Sequence, residues 1–165
     1  MMFKSLLMPH LLYCLPIFGH SKQATTLFKC QKWALRTIRR SHWKSHTNKI
    51  FQKYNILKLQ EMYELSICMI IRKRIDNHGP ALLQEIYNYK NMRNKHYITT
   101  EKPFSKKLDT FPNFIFPKIW NKFNKLDLKP SINSYKENLK TYQINSYRLQ
   151  KCHKPNCYNC SVTKI

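Results

Sequence analysis

The sequence predicts a mostly α fold, a small helical domain of about five to six helices with an irregular basic loop region and a polar C-terminal tail. Apolar residues recur three and four positions apart over several stretches, which is the spacing of one helix face. Glycine occurs only twice in 165 residues, whereas the tight turns of β-rich folds need glycine or asparagine. The eight prolines are spread along the chain, which is typical of punctuation between helices.

Length and composition bound the domain organisation. A chain of 165 residues is expected to hold one domain and a short tail, divided into a helical region at residues 1–144 and a polar tail with a cysteine cluster at residues 145–165. A hydrophobic content of 42% excludes a wholly disordered chain. Two isolated glycines also exclude a dinucleotide-binding loop, a P-loop and a nucleophile elbow, because each needs several glycines close together.

The first part of the chain contains three helical segments. Residues 3–15 are apolar and predict a helix that is kinked or begins near Pro9. Residues 21–40 are the clearest helix, and Ser21 is its predicted N-cap. A short helix is predicted from Thr47. The predicted buried face of the second helix consists of Leu27, Cys30, Ala34, Leu35 and Ile38.

The rest of the helical region alternates helices with a basic loop. In residues 58–75, apolar residues first recur at helical spacing on one face, and in the second half they occupy almost every face of the helix. This pattern predicts a central buried helix. Residues 87–111 are rich in Asn, Lys and Tyr and predict a loop with a short hairpin near residues 97–100. Two more helices are predicted, one from Pro117 and one from Ser131.

Positive charge dominates the chain. Thirty Lys and Arg stand against eight Asp and Glu, a net charge of +22, which favours a polyanionic partner because the compact state would otherwise repel itself. No acid lies between residues 21 and 58. The predicted nucleic-acid contacts are cations of this stretch together with one tryptophan for stacking: Lys22, Lys29, Lys32, Trp33, Arg36, Arg39, Arg40 and Lys44.

The cations of the second helix share one side of a helical wheel of about 100° per residue, opposite the predicted apolar face. This arrangement predicts a surface for phosphates. The alternative is an ordinary solvated helix face, with Trp33 buried under a neighbouring segment.

No catalytic residue is predicted. The eight acids are never adjacent in sequence, whereas two-metal phosphoryl transfer needs carboxylates that converge on ions about 4 Å apart. The seven histidines are scattered, and no Ser–His–Asp or Cys–His pairing is indicated by spacing. Local spacing therefore indicates no catalytic motif.

A second candidate site lies in the C-terminal tail. Cys157 and Cys160 have the C-x-x-C spacing of half a zinc knuckle, Cys152 is a third candidate thiolate, and His153 is adjacent to it. A zinc finger usually places its second pair about a dozen residues away, which these residues do not do. Two interpretations stay open, a zinc site formed by these four residues or a set of reduced thiols.

Cysteine usage and the N-terminus indicate an intracellular protein that is not secreted. The six cysteines have neither the density nor the spacing of a small secreted disulfide scaffold. Pro9, His10 and Pro16 interrupt the N-terminal apolar run, which lacks a small-residue cleavage site and is too short to span a membrane. A membrane partner is therefore not expected.

Several short motifs occur in a distinctive order. Residues 8–13 read MPHLLY, residues 16–19 read PIFG, and residues 31–38 read QKWALRTI. Residues 46–63 then contain HT followed by ILKLQEMY, and residues 120–140 contain WN followed by SYKENLK.

Across residues 5–145, this order resembles the region C-terminal to the polymerase palm of non-LTR (LINE-type, jockey-like) retrotransposon reverse transcriptases. The chain departs from their pattern at Phe18, where tryptophan is usual, and at Lys122 and Phe123, where Leu-Pro is usual. Its cysteine cluster also differs from the Cys-Cys-His-Cys knuckle of some such elements, so the resemblance itself implies no zinc site.

The resemblance implies a non-catalytic C-terminal fragment of an RNA-directed DNA polymerase. The family's catalytic aspartates and their Mg²⁺ lie upstream in the palm, and none of that region is in this chain. The thumb and post-thumb region of the family grips template and primer. The implied partners are RNA, DNA or their hybrid and the missing palm, in a nuclear or cytoplasmic ribonucleoprotein.

Two other interpretations stay open. One is a decayed element remnant with no present function, which predicts an incomplete core, an unburied N-terminal segment and aggregation. The other is a small cationic protein that acts at anionic membrane surfaces through residues 3–15.

Overall fold

The computed structural model describes most of the chain, over residues 3–76, 88–92, 95–99, 111–123 and 131–149. These residues are mostly helical, which confirms the predicted fold class. The chain divides into two compact units, which we describe separately. Unit 1 consists of residues 1–62 and 141–165, and unit 2 consists of residues 63–140.

Short helical elements open unit 1, where one apolar segment was predicted. A π-helical turn at Phe3–Leu7 runs directly into α1 at Met8–Leu12, and α2 follows at Leu15–Phe18. Pro9 lies in the first turn of α1, the part of a helix in which proline is tolerated. Cys14, whose φ is 51°, separates α1 from α2 with a left-handed backbone.

The helix α3 spans Gln23–Ile38, close to the predicted residues 21–40. Its N-cap is Lys22, and no side chain caps it. The hydroxyl of Ser21 is buried and has no hydrogen-bond partner among the described residues. The predicted Ser21 cap is therefore wrong, because the helix begins one residue too late for this hydroxyl to reach its free N–H groups.

The buried face of α3 also differs from the predicted one. Ala24, Gln31 and Leu35 are buried, whereas Cys30 is exposed and Ile38 is 44% exposed. The buried face is rotated by about 60° from the predicted one, on a wheel of about 100° per residue. The cause is Gln31, a polar side chain at the centre of the buried face that an apolar pattern cannot include.

The side-chain amide of Gln31 joins α3 to the start of α5, which spans Leu59–Ile75. Nε2 donates to the carbonyl oxygen of Leu57 at 2.9 Å and to Sδ of Met62 at 3.7 Å. Oε1 accepts from the N–H of Leu59 at 3.0 Å. Because the first N–H groups of a helix have no partner in that helix, the amide of Gln31 satisfies one of them from outside.

Two further side chains complete the start of α5. The N–H of Lys58 donates to Oε2 of Glu61 at 3.1 Å, as in a capping box, and to the hydroxyl of Tyr147 at 3.1 Å. Tyr147 lies on α7, at Ile132–Leu149, and its ring packs edge-on against Phe51 with the centroids 6.5 Å apart. The packing of unit 1 thus depends on contacts between residues far apart in the sequence.

Two predicted helix starts are confirmed. The short helix α4 spans Asn48–Lys53 and follows Thr47. The helix α7 follows Ser131, whose Oγ accepts from the N–H of Ser134 at 3.4 Å. Because α7 continues to Leu149, it runs past the tail boundary predicted at residue 145.

Unit 2 contains a two-stranded antiparallel hairpin. Strand β1 at Asn88–Met92 pairs with β2 at Lys95–Thr99, with Tyr89 opposite Ile98. The hairpin therefore begins earlier than the predicted residues 97–100. Helices surround a core of apolar side chains that includes Tyr63, Ile67, Cys68, Ile71, Phe116, Trp120, Tyr135 and Leu139.

The helix predicted from Pro117 begins earlier, because α6 spans Pro112–Lys122. Phe111 is extended before it (φ −74°, ψ 147°), as expected for a residue that precedes proline. Pro117 lies inside the helix. The prediction was wrong because either proline suits a first turn and the sequence offered no means to choose between them.

Asn121 repeats in unit 2 the type of contact that Gln31 makes in unit 1. Its Nδ2 donates to the carbonyl oxygen of Ile98 at 3.0 Å, and its Oδ1 accepts from the N–H of Ile98 at 3.2 Å. The amide thus pairs with the edge of β2 as another strand would. The neighbouring Trp120 is buried, with its ring centroid 6.3 Å from that of Tyr135.

We expect Gln31→Leu to lower the free energy of unfolding by about 2–4 kcal/mol, because it leaves the Leu57 carbonyl and the Leu59 N–H buried without partners. Urea unfolding followed by circular dichroism measures the change. Gln23→Leu, at the exposed start of α3, is the matched control and should change stability by less than about 0.5 kcal/mol. Equal stability of the two variants would contradict the role of the Gln31 amide.

The raised pKa of Tyr63 predicts that the protein loses stability at high pH. Burial, assisted by the charge of Glu64, raises the pKa of Tyr63 to about 12. Above pH about 10 the unfolded chain releases a phenolic proton that the folded chain retains, so stability falls as pH rises from about 10 to 12. We expect Tyr63→Phe to make this fall shallower, by up to about 1.4 kcal/mol per pH unit. Urea unfolding on either side of pH 10 measures it, and the exposed Tyr142→Phe should keep the parent slope.

Candidate nucleic-acid interface

The predicted nucleic-acid contacts all lie in unit 1, on α3 and the turn that follows it. Lys22 is the N-cap of α3, and Arg39 is its C-cap. We name the seven cations of this stretch the basic flank: Lys22, Lys29, Lys32, Arg36, Arg39, Arg40 and Lys44.

Most of the basic flank is open to solvent. All of its members are exposed except Lys32 and Arg36, which are half-buried. The ammonium of Lys32 lies 4.0 Å from the centroid of the Phe28 ring, which is a cation–π contact. Among the residues that the structure describes, no acidic side chain forms an ion pair with Lys22 or Lys29.

Arg36 also holds the fold. Its Nε and Nη2 both donate to the carbonyl oxygen of Ser45, at 3.2 and 3.1 Å. Ser45 is buried, so the guanidinium satisfies a carbonyl that has little access to water. The contact fastens the loop after α3 to the helix itself. The sequence predicted Arg36 only as a phosphate contact and gave no sign of this second role.

Arg40, which follows the C-terminal end of α3, has a left-handed backbone conformation that favours glycine. The N–H of Ser41 donates to the carbonyl of Arg36 at 2.9 Å, and the N–H of Arg40 donates to the carbonyl of Thr37 at 3.0 Å. These two bonds form a Schellman motif. Its central residue, Arg40, has a left-handed backbone with φ 52°. A residue with a side chain costs about 1 kcal/mol there relative to glycine.

Two tryptophans are exposed beside the basic flank. Trp33 is 69% exposed and Trp43 is 71% exposed, whereas Trp120 in unit 2 is 1% exposed. The alternative in which Trp33 is buried under a neighbouring segment is therefore wrong. Nζ of Lys44 lies 4.8 Å from the ring centroid of Trp43, and the ring of His42 lies 5.9 Å from it. Trp43 was not among the predicted contacts, although its polar, acid-free surroundings in the sequence were a usable signal.

Acidic residues are distributed unevenly between the units. The sequence of unit 1 has fifteen Lys and Arg and one acid, whereas that of unit 2 has fifteen Lys and Arg and seven acids. The acid of unit 1 is Glu61, which caps α5. In unit 2, Glu64 pairs with Lys122 at 2.7 Å and Asp76 pairs with Arg72 at 3.4 Å. Uncompensated positive charge is therefore concentrated in unit 1.

Lys58 is a cation of unit 1 that does not belong to the basic flank. Its ammonium lies over the ring of Tyr147, 4.1 Å from the centroid. Burial lowers the pKa of Lys58, and the charge of Glu61 opposes this effect. Lys58 therefore serves the packing around the start of α5.

A hollow of about 350 Å³ adjoins the basic flank at Lys22. Its lining is apolar at Phe28 and Leu59 and polar at the start of α3. The lining residues are Gly19, His20, Ser21, Lys22, Ala24, Thr25, Phe28, Leu59 and Gln60.

The residues predicted to bind metal lie outside the described residues: Cys152, His153, Cys157 and Cys160. In the described ranges, no group of three or more His, Cys, Asp or Glu is placed to hold a metal ion. Cys68 lies in the core of unit 2, where burial raises the pKa of its thiol, so this thiol stays protonated and is no nucleophile.

Among the helices described, none combines the length and apolar character that a membrane crossing requires.

Comparison with known proteins found no family model, no curated protein and no solved structure that matches this chain.

We expect Arg40→Gly to raise the free energy of unfolding by about 0.5–1 kcal/mol, because glycine adopts the left-handed backbone without steric cost. Arg39→Gly removes the same charge one residue earlier, where φ is −87°, and should lower it by up to about 1 kcal/mol. Urea unfolding of both variants measures the difference. Equal changes in the two variants would show that the backbone of Arg40 carries no strain.

Proposed function

We propose that this protein binds nucleic acid through phosphate contacts along the basic flank. The observation that carries the proposal is a group of seven cations on α3 and beside its two ends, mostly exposed, in a unit whose sequence holds a single acid. The acid, Glu61, is already engaged at the start of α5. The sequence of unit 1 therefore holds far more positive than negative charge.

Phosphates suit this surface for a physical reason. Lysine and arginine that neutralise phosphates release condensed counterions, and this release supplies affinity without regard to base sequence. Binding that tolerates any sequence is the expected result.

We further propose that the chain acts as a non-catalytic C-terminal part of a LINE-type reverse transcriptase. The support is the ordered set of motifs across residues 5–145. The partners would be RNA, DNA or their hybrid and the palm of the same enzyme, in an intracellular ribonucleoprotein.

Zinc binding by the C-terminal cysteines is a separate proposal, which rests on the C-x-x-C spacing.

One observation favours a second candidate, a cationic protein at anionic membrane surfaces. Four apolar side chains of the N-terminal helices are exposed, from 45% to 77%: Leu6, Leu12, Tyr13 and Ile17. Apolar side chains beside excess positive charge also suit the interface of an anionic bilayer. Phe3 and Leu15 of the same helices are buried, so the segment also serves the core of unit 1.

The salt dependence of binding tests the first proposal. If about seven phosphates are contacted, affinity for an oligonucleotide should fall about 10³-fold between 50 and 200 mM salt. We expect the double variant Lys22→Gln/Lys29→Gln to make the slope of log K against log salt shallower by about 1.4–1.8, equally for different sequences. Fluorescence anisotropy with a labelled oligonucleotide measures both quantities.

The matched control is Lys73→Gln/Lys136→Gln, which removes two exposed helix lysines from unit 2. Its slope should equal that of the parent chain. A folded chain that fails to bind, or binds without salt dependence, would remove the proposal. Co-sedimentation with anionic but not neutral vesicles would favour the membrane candidate, and absence of cooperative unfolding would favour the decayed remnant.

A further inference from the structure

The two exposed tryptophans are unusual in a protein that has apolar cores to receive them. Tryptophan is highly buried on average, as Trp120 is here. Trp33 and Trp43 instead expose about 70% of their surface, as 69% and 71%. Neither ring is needed to complete the packing of unit 1. Large exposed aromatic side chains of this kind are typical of binding surfaces.

Each of these rings lies next to positive charge. Lys29, Trp33 and Arg36 follow one another at spacings of four and three along α3, so the indole lies between two cations on one helix side. Trp43 has the ammonium of Lys44 over its ring at 4.8 Å. A surface that alternates indole rings and cations matches a chain that alternates bases and phosphates.

The loop that carries Trp43 is fastened to the helix that carries Trp33. The guanidinium of Arg36, three residues after Trp33, donates twice to the carbonyl of Ser45, two residues after Trp43. The length of chain between the two tryptophans limits their Cα separation to about 25 Å. Both rings are therefore within reach of one short strand.

We propose that this surface selects single-stranded nucleic acid, with unpaired bases stacked on Trp33 and Trp43 while phosphates contact the basic flank. This inference rests on the proposed function and adds the class of ligand. In a duplex the base faces are already stacked and paired, so an indole reaches them only after bases are pulled out of the helix. In a single strand they are free, and stacking on an aromatic ring tolerates any base.

The test compares the full chain with a mixed-sequence 16-nucleotide strand and with its 16-base-pair duplex, at one salt concentration. We expect the single strand to bind at least about 10-fold more tightly, since each stacked base contributes about 5- to 150-fold. Indole emission should be quenched on binding. In Trp33→Ala/Trp43→Ala the remaining indole is Trp120, so the quenching should vanish and single-strand affinity should approach duplex affinity.

The salt slope separates this inference from the proposed function. The double tryptophan variant should keep the parent slope, because it removes no cation. Tyr142→Ala, an exposed aromatic of α7, is the control and should keep the strand preference. Equal affinities for strand and duplex with a steep salt slope would overturn the inference and leave the proposed function standing. Absence of any salt-dependent binding would overturn both.

Discussion

The structure of unit 1 depends on one buried side-chain amide. Gln31 is 2% exposed, and its two ends pair with the backbone on either side of Lys58. An unpaired buried amide is costly, so α3 has one favourable rotation about its axis, the one that turns Gln31 toward the start of α5. That rotation decides which side chains of α3 reach solvent. The exposure of the basic flank and of Trp33 is thus a consequence of a contact on the opposite side of the helix.

Several residues of the ordered sequence motifs stabilise the fold. Gln31 and Arg36 each satisfy backbone groups outside α3, and Asn121 satisfies both polar groups of Ile98 beside the buried Trp120. These motif residues therefore have structural roles. Most of the exposed side chains that are proposed to bind nucleic acid lie outside the motifs, at positions where binding depends on charge and exposure more than on the shape of the side chain.

The helices could be predicted from the sequence because apolar spacing reports burial. The central helix α5 and the start of α7 at Ser131 follow from that rule and from capping chemistry. Contacts of polar side chains with distant backbone could not be predicted. From the sequence alone, Gln31 is expected to face solvent, and only the three-dimensional structure places Leu57 and Leu59 beside it. The buried face predicted from apolar spacing therefore left Gln31 out and differs from the observed face by a rotation about the helix axis. Trp43 was missed for a different reason: its polar, acid-free neighbours in the sequence were a usable signal, but tryptophan is highly buried on average.

Unit 1 is discontinuous in the chain, and this shapes how it is made. The hydroxyl of Tyr147 binds the backbone of Lys58, and the ring covers Phe51, so residues 1–62 lack part of their packing until α7 is synthesised. At about 5–20 residues per second, the ribosome needs about 4–17 s to cover that gap. A nascent chain arrested before α7 would lack the ring of Tyr147 that packs against Phe51.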